Sequence, residues 1–274
     1  GTSFELLCPG IFCMDVLQYY EVERKNMIYL TSDIHGCFKE FKKMLEYLNF
    51  GPEDYLYIIG DAVDRGPEPI PLFQFIMRQP NMELLMGNHE QGFLWNVYKN
   101  DSVLSDSEIR EFWLSHGGQE TWIQYMKLSE PEKQEIISWL KGLPFYKIVG
   151  KNILSHAGVF TEGIVYDTLE SLMAQQDSQK TLWVQKEFYG RPLKFKDPEV
   201  RVFFGHTFSL IIRDDLGQPL DSTEIWDDGN RIGLDCGYAF GGKMVMYCLG
   251  NDVVYYLNSS GKFYSKEKIV RKKT

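Results

Sequence analysis

The spacing of apolar positions changes period several times along the chain, and each change predicts an element. Met27, Ile28, Tyr29, Leu30 and Thr31 make a short, almost continuous apolar run, which predicts a buried strand over 27–31. Phe38, Phe41, Met44, Leu45 and Leu48 follow at the spacing of one helix face. The strand pattern returns over 55–59, a helical one over 71–78, and a third strand over 82–86. Strand, helix, strand, helix, strand in that order predicts a βαβ core with parallel pairing.

The stretch from about 90 to 141 reads as helical throughout, an insertion packed on that core. Ser129 and Glu132 make a capping-box pair, with Pro131 early in the last of its helices. Trp95, Trp113, Trp122 and Trp139 fall within the insertion and read as its packing anchors. Beyond it, strands are expected over 146–149 and 152–155, helices over 168–176 and 182–188, and strands over 202–204, 231–234, 244–249 and 253–257. Gly250, Asn251 and Asp252 supply a hairpin turn between the last two. The second half therefore reads as mixed or antiparallel, with a loop over 207–230. No proline- or serine-rich linker separates the halves, so one domain is expected over 27–260. Residues 1–26 read as a leader or added segment. The stretch 261–274, with Lys262, Lys266, Lys268, Arg271, Lys272 and Lys273, reads as a basic, solvated tail.

Composition removes several function classes. With 29 basic and 38 acidic residues the formal charge is −9, the wrong sign for a nucleic-acid surface. No apolar run reaches the ~18 residues of a membrane-spanning helix, so neither nucleic acid nor membrane is an expected partner. Cys8, Cys13, Cys37, Cys236 and Cys248 form no C-x-x-C pair and are odd in number, which speaks against a disulfide framework or a structural zinc site. A reducing, cytoplasmic setting is expected. Oligomeric state is not legible.

What distinguishes the sequence is where its polar residues cluster. Ser32-Asp33-Ile34-His35-Gly36 follows the first strand, Gly60-Asp61-Ala62-Val63-Asp64-Arg65-Gly66 the second, and Gly87-Asn88-His89-Glu90 the third. Ser155-His156-Ala157-Gly158 and Gly205-His206-Thr207 follow two later strands. Of the 5 histidines in the chain, only His116 lies outside these loops. The carboxyl ends of strands in an open α/β sheet converge on one crevice, so the clusters can meet. Mixed Asp, Asn and His donors suit borderline-hard divalent ions such as manganese, iron or zinc, and bind them at neutral pH without a thiolate.

These motifs resemble those of the calcineurin-like metallophosphoesterases, specifically the phosphoprotein phosphatase branch with its bacterial serine/threonine and bacteriophage lambda phosphatases. The family pattern G-D-x-H-G, G-D-x-V-D-R-G, G-N-H-E, H-A-G and G-H-T reads here as S-D-I-H-G, G-D-A-V-D-R-G, G-N-H-E, H-A-G and G-H-T. The segment from Ile232 to Gly237, with Phe240 to Lys243, resembles the closing strand pair of the family. The resemblance implies a four-layer αββα sandwich, two mixed sheets flanked by helices with a helical insertion, in the α/β (α+β) class.

It also implies roles. One divalent ion would be held by Asp33, His35 and Asp61, and a second by Asp61, Asn88, His156 and His206, with a hydroxide between them attacking phosphorus in line. His89 would be the general acid, oriented by Asp64. Arg65 would hold the phosphoryl oxygens together with Asn88, and Glu90 would stand behind the ligands. Manganese is the expected metal, with iron or zinc as options. Relatives of the lambda type carry an arginine after the tryptophan of Leu182-Trp183. Gln185 stands at or near that place here, and Lys186 or Arg191 is expected to substitute as the cation.

The reaction expected from the resemblance is hydrolysis of phosphomonoesters, with a phosphorylated protein or a small phosphate ester as partner. The alternative is hydrolysis of dinucleoside polyphosphates such as diadenosine tetraphosphate. The symmetrically cleaving bacterial enzymes usually lack the aspartate of V-D-R-G and end the third motif in Asp, whereas this chain has Asp64 and Glu90. A non-catalytic binding module on the same scaffold is the third reading, disfavoured because no ligand is missing. Specificity is expected in the insertion and in 207–230; Trp183, Trp226 and Tyr238 could border the pocket, with core packing the favoured reading for each.

Overall fold

The computed structural model describes residues 26–98 and 106–267. Strands β1 (Ile28–Thr31), β2 (Tyr55–Ile58) and β3 (Met82–Leu84) pair in parallel, with helices α1 (Phe38–Tyr47) and α2 (Pro69–Met77) as the crossovers. On the other flank of β1, strands β9 (Lys243–Cys248), β10 (Val253–Asn258) and β11 (Phe263–Glu267) pair antiparallel, so the first sheet runs β11-β10-β9-β1-β2-β3. The second sheet is built from β4 (Tyr146–Val149), β5 (Asn152–Ser155), β6 (Arg201–Phe204), β7 (Trp226–Asp227) and β8 (Arg231–Gly233). Its order is β4-β5-β6-β8-β7, with β5, β6 and β8 parallel and the outer strands antiparallel.

The near-continuous apolar strands follow from burial on both faces. Along β9, Met244, Met246 and Cys248 face the helices, while Val245 and Tyr247 face the second sheet. The two inner faces meet in one layer that includes Leu30, Leu154, Phe203, Ile232, Tyr247 and Tyr256. Phe203 is fully buried there, edge to face with Tyr247 at 4.9 Å. Outside the first sheet pack α1, α2 and the insertion, through Phe41, Phe73, Phe93, Trp113 and Leu140. Outside the second pack α7 (Leu169–Met173), α8 (Lys186–Tyr189) and α9 (Ser209–Asp215), through Leu172, Phe188 and Ile212. The layers run helix, sheet, sheet, helix.

The insertion consists of α3 (Asn88–Val97), α4 (Asp106–Trp113), a π-helical turn Leu114–Gly118, α5 (Gln119–Met126) and α6 (Glu130–Lys141). The Glu132 carboxylate accepts from both the Ser129 amide at 2.9 Å and the Ser129 hydroxyl at 2.6 Å, which closes the start of α6. Two expectations change. The segment 207–230 is not all loop: it carries α9 and β7, whose short apolar stretches give too few periods to register in the sequence. The sheet also continues past 260, because β11 pairs with β10 and Lys266 reaches Glu224 at 2.8 Å. Residues 1–25, Cys8, Cys13 and the cations from Lys268 onward lie outside the described residues.

The layer between the sheets is expected to carry much of the stability. Phe203→Ala should lower unfolding stability by about 3–5 kcal/mol in a urea titration, as for other buried Phe→Ala changes. A loss below about 1 kcal/mol would show that the two sheets do not depend on that contact.

Candidate active site

The parallel strands of both sheets deliver their carboxyl ends to one edge. Asp33 and His35 follow β1, Asp61, Asp64 and Arg65 follow β2, Asn88 and His89 open α3, and His156 and His206 follow β5 and β6. Backbone hydrogen bonds join the loops: the His35 amide donates to Asp61 O at 2.9 Å, Gly36 to Ala62 O at 2.7 Å, and Gly205 to His156 O at 2.7 Å. A Cβ at Gly205 would run into the Asp33 carboxylate, so only glycine lets the fifth loop approach the first. Asp33, His35, Asp61, Asp64, Arg65 and His206 all have φ between 46° and 71°, the left-handed region that non-glycine residues enter at a cost.

Asp61 is the centre. Its Oδ2 lies 3.7 Å from His35 Nε2 and 3.9 Å from His89 Nε2, and its Oδ1 lies 3.3 Å from His156 Nε2. The His89 amide donates to Oδ1 at 3.1 Å. Asn88 Oδ1 lies 2.8 Å from His156 Nε2 and 3.0 Å from His206 Nδ1. The outer nitrogens of two rings are spoken for: His156 Nδ1 donates to Ile59 O at 2.9 Å, and His35 Nδ1 to Val63 O at 2.9 Å. That fixes the tautomers, so the Nε2 lone pair of His156 points at two oxygen acceptors, Asn88 Oδ1 and Asp61 Oδ1. Acceptors facing acceptors without a proton to share are the arrangement a cation satisfies. The donors fit divalent ions in two overlapping groups, His35, Asp61 and His89 on one side and Asp61, His156 and His206 on the other.

Asp33 borders the first group. Its Oδ1 lies 3.9 Å from His35 Nε2, and both of its oxygens accept from the His206 amide, at 3.2 and 3.1 Å. Burial, and then the Asp61 charge, push its carboxyl up to about 6. Burial would raise Asp61 as well, but the imidazoles of His156, His89, His35 and His206 hold it below the ordinary carboxylate range. Burial keeps His206 neutral, down to about 3, and depresses His35, leaving both rings in the ligating form. Burial works against a charged His89, yet the Asp61 charge and the Asp64 hydrogen bond prevail and raise it.

His89 Nδ1 donates to Asp64 Oδ2 at 2.7 Å, and Arg65 Nη2 donates to His89 Nε2 at 2.9 Å. The other arm of Arg65 donates to His35 Nε2. Behind this pair the sequence reading missed two residues of the insertion. Trp113 Nε1 donates to Asp64 Oδ2 at 2.7 Å, and Thr121 Oγ1 to Asp64 Oδ1 at 2.6 Å. Trp113 is thus an anchor, stacked on Phe93 at 5.6 Å, and also a donor to the site. Its chemistry is invisible in sequence because the partner lies 49 positions away. Glu90 stands behind the Asp61 loop: its Oε2 accepts from the Asp61 amide at 2.7 Å and its Oε1 from the Ala62 amide at 2.8 Å. Asp235, after β8, is a further buried carboxyl, raised by burial and then by Asp33, and only its Oδ1 has a partner, the Gly237 amide at 2.8 Å.

No contact joins the expected second phosphate cations to these residues among the described ones. Arg191 is exposed and pairs with Glu162 at 3.4 Å, and Lys186 is exposed at the start of α8. Gln185 is the side chain of that segment that reaches the site, 3.5 Å from His206 Nε2. Trp226 is buried, as the sequence suggests, but Trp183 is 41% exposed and stands edge-on to His206 at 5.9 Å, so it borders the site rather than the core.

The fold and this cluster of donors point to one class, and the chain belongs to the calcineurin-like phosphoesterase family, matched over residues 27–255. Among curated relatives it is 31% identical over 145 residues to a symmetrical bis(5'-nucleosyl)-tetraphosphatase of Wigglesworthia glossinidia brevipalpis, covering 52% of this chain and 48% of that protein. A homologue of the same name from Buchnera aphidicola subsp. Acyrthosiphon pisum is 31% identical over 135 residues, 48% of this chain and 44% of that one. The chain thus spans about half the length of these relatives. Two solved structures share the fold. A diadenosine tetraphosphatase-like protein matches with a TM-score of 0.57 at 17% identity, over 89% of this chain and 94% of that one. A protein serine/threonine phosphatase of Saccharomyces cerevisiae matches with a TM-score of 0.52 at 15% identity, over 90% and 81%. Among the described residues no helix is long and apolar enough to cross a membrane.

Thr121→Val and Trp113→Phe each remove one donor from Asp64. Because a hydrogen bond to a charged group contributes ~1.5–3 kcal/mol, each is expected to cost about ten- to a hundredfold in turnover. Metal content by mass spectrometry should stay that of the unmodified protein. Undiminished turnover in both variants would mean that Asp64 needs no support from the insertion.

Proposed function

We propose that this chain hydrolyses dinucleoside tetraphosphates, such as diadenosine tetraphosphate, with two divalent ions. The observation that carries the hydrolytic reading is the buried Asp61 carboxylate with His35, His89 and His156 within 3.9 Å of it. The substrate class rests on the tetraphosphatases at 31% identity, which weigh more than a fold shared with protein phosphatases.

Asp33, His35 and Asp61 would hold one ion, and Asp61, Asn88, His156 and His206 the other. When bound, such a pair lowers the pKa of water and clamps both ends of an in-line displacement. The residues of the chain do the rest. Arg65 presents a guanidinium to the phosphoryl oxygens as charge develops on them. His89 Nε2 gives a proton to the departing oxygen, and Asp64 holds the ring and stabilises its charged form. Glu90 fixes the backbone of the Asp61 loop through its bonds to the Asp61 and Ala62 amides.

One feature favours a second reading, hydrolysis of serine or threonine phosphate in a phosphoprotein. A phosphate leaving group departs readily, whereas an alkoxide needs a proton, and the 2.7 Å His89–Asp64 pair is equipped to give one.

Chelator-stripped protein resupplied with manganese should cleave diadenosine tetraphosphate faster than a phosphoserine peptide or p-nitrophenyl phosphate. The reverse order would transfer the assignment to the phosphoprotein class, and inactivity on all three with manganese, iron and zinc would leave a binding module. His89→Asn should retain metal but lose about 10²–10⁴-fold in turnover of the phosphoserine peptide, with a much smaller loss on p-nitrophenyl phosphate. Equal losses on both would remove the general-acid role.

A further inference from the structure

Beside the metal donors lies a cavity of about 260 Å³, lined by His89, Trp95, Phe112, Trp113, His116 and Trp183. It is smaller than the ~300–1,000 Å³ of a site that encloses a whole drug-sized ligand, so it suits one group of a larger molecule. Its walls are rings. Phe112 is 52% exposed and Trp183 41% exposed, with their centroids 6.4 Å apart and their planes tilted by 58°, and His116 lies on Phe112 at 4.2 Å. Large aromatic side chains left open toward one another, beside a reactive centre, gain by stacking a flat partner.

The chemistry of the wall narrows the occupant. Among the described residues no lysine, arginine or carboxylate lines the cavity, so these walls do not attract a phosphate. Its inner wall is Asn88 and His89, so a group seated there is bonded to whatever leaves from phosphorus at His89. The cation Arg65 stands outside the cavity lining, 2.9 Å from His89 Nε2 and against another exposed ring, Phe240, at 5.1 Å.

We propose that this cavity is the subsite for the base of the leaving nucleotide, a purine stacked on the exposed ring of Trp183 with the Phe112 ring against its edge, while its phosphates extend past His89 to the metal donors. The inference rests on the dinucleotide reading above. It also gives the insertion a substrate role: α4 supplies Phe112 to the base and Trp113 to Asp64, so one helix touches both the base and the carboxylate that holds His89.

The test compares ADP with pyrophosphate, which carries the same phosphates without base or ribose, by calorimetric titration of the manganese-loaded protein. Stacking of a base on an aromatic side chain is lost on alanine substitution at a cost of about 1–3 kcal/mol, roughly five- to a hundred-and-fifty-fold. ADP should therefore bind at least about tenfold tighter than pyrophosphate. Phe112→Ala and Trp183→Leu should each remove most of that advantage and leave pyrophosphate affinity unchanged, while Trp183→Phe keeps a ring and restores it. Equal affinity for the two ligands in the unmodified protein would overturn the subsite, and so would variants that weaken both alike. Turnover of diadenosine tetraphosphate, measured on the same samples, separates the two claims. An ADP preference without tetraphosphate cleavage would sink the substrate class and keep the base site. Cleavage without an ADP preference would do the opposite.

Discussion

The Asp61 carboxylate is buried at the seam between two sheets, and four imidazoles from four loops have their electrostatic effect on it. Burial of a charge is costly unless it is paired, and here the pairing comes from the rings that surround it. The structure must therefore bring the ends of strands from both sheets within a few ångströms and hold them there. Much of the architecture serves that end: parallel strands that point the same way, a packed layer between the sheets, and amide-to-carbonyl bonds that lace the loops together.

The constraint is visible in the backbone. Six of the eight non-glycine described residues with positive φ belong to these loops: Asp33, His35, Asp61, Asp64, Arg65 and His206. Such conformations cost on the order of 1–3 kcal/mol each and persist where the surroundings over-determine them. Here the surroundings are the cores on both faces of each sheet, together with Glu90, whose carboxylate takes the Gly87, Asp61 and Ala62 amides. Stability in the layers is spent on geometry at the edge.

Much of this was legible in the sequence. The apolar runs predict the strands because they are buried on both faces, and the polar clusters mark the strand ends because no core residue needs Asp-x-His or Gly-Asn-His-Glu. Short elements were not legible: β7 has two residues, and β11 is polar and mostly exposed. Nor were residues whose role depends on distant partners. Trp113 and Thr121 read as ordinary insertion residues until their donors are seen on Asp64, 49 and 57 positions away. Trp183 reads as core because tryptophan usually is, yet it stands open beside His206. Around the expected second phosphate cation the structure shows Gln185 3.5 Å from His206 Nε2 and Arg191 paired with Glu162, a placement that sequence neighbours do not reveal.

The insertion links this shared centre to whatever is particular to the chain. It donates to Asp64, the partner of His89, through Trp113 and Thr121, and it opens a ring-lined cavity beside His89. All of this presupposes that Asp61 joins two ions. The most direct measurement is anomalous diffraction from crystals soaked in manganese. The account predicts two peaks about 3.5–4 Å apart with the Asp61 carboxylate touching both. A single peak, or a pair that Asp61 does not bridge, would contradict it.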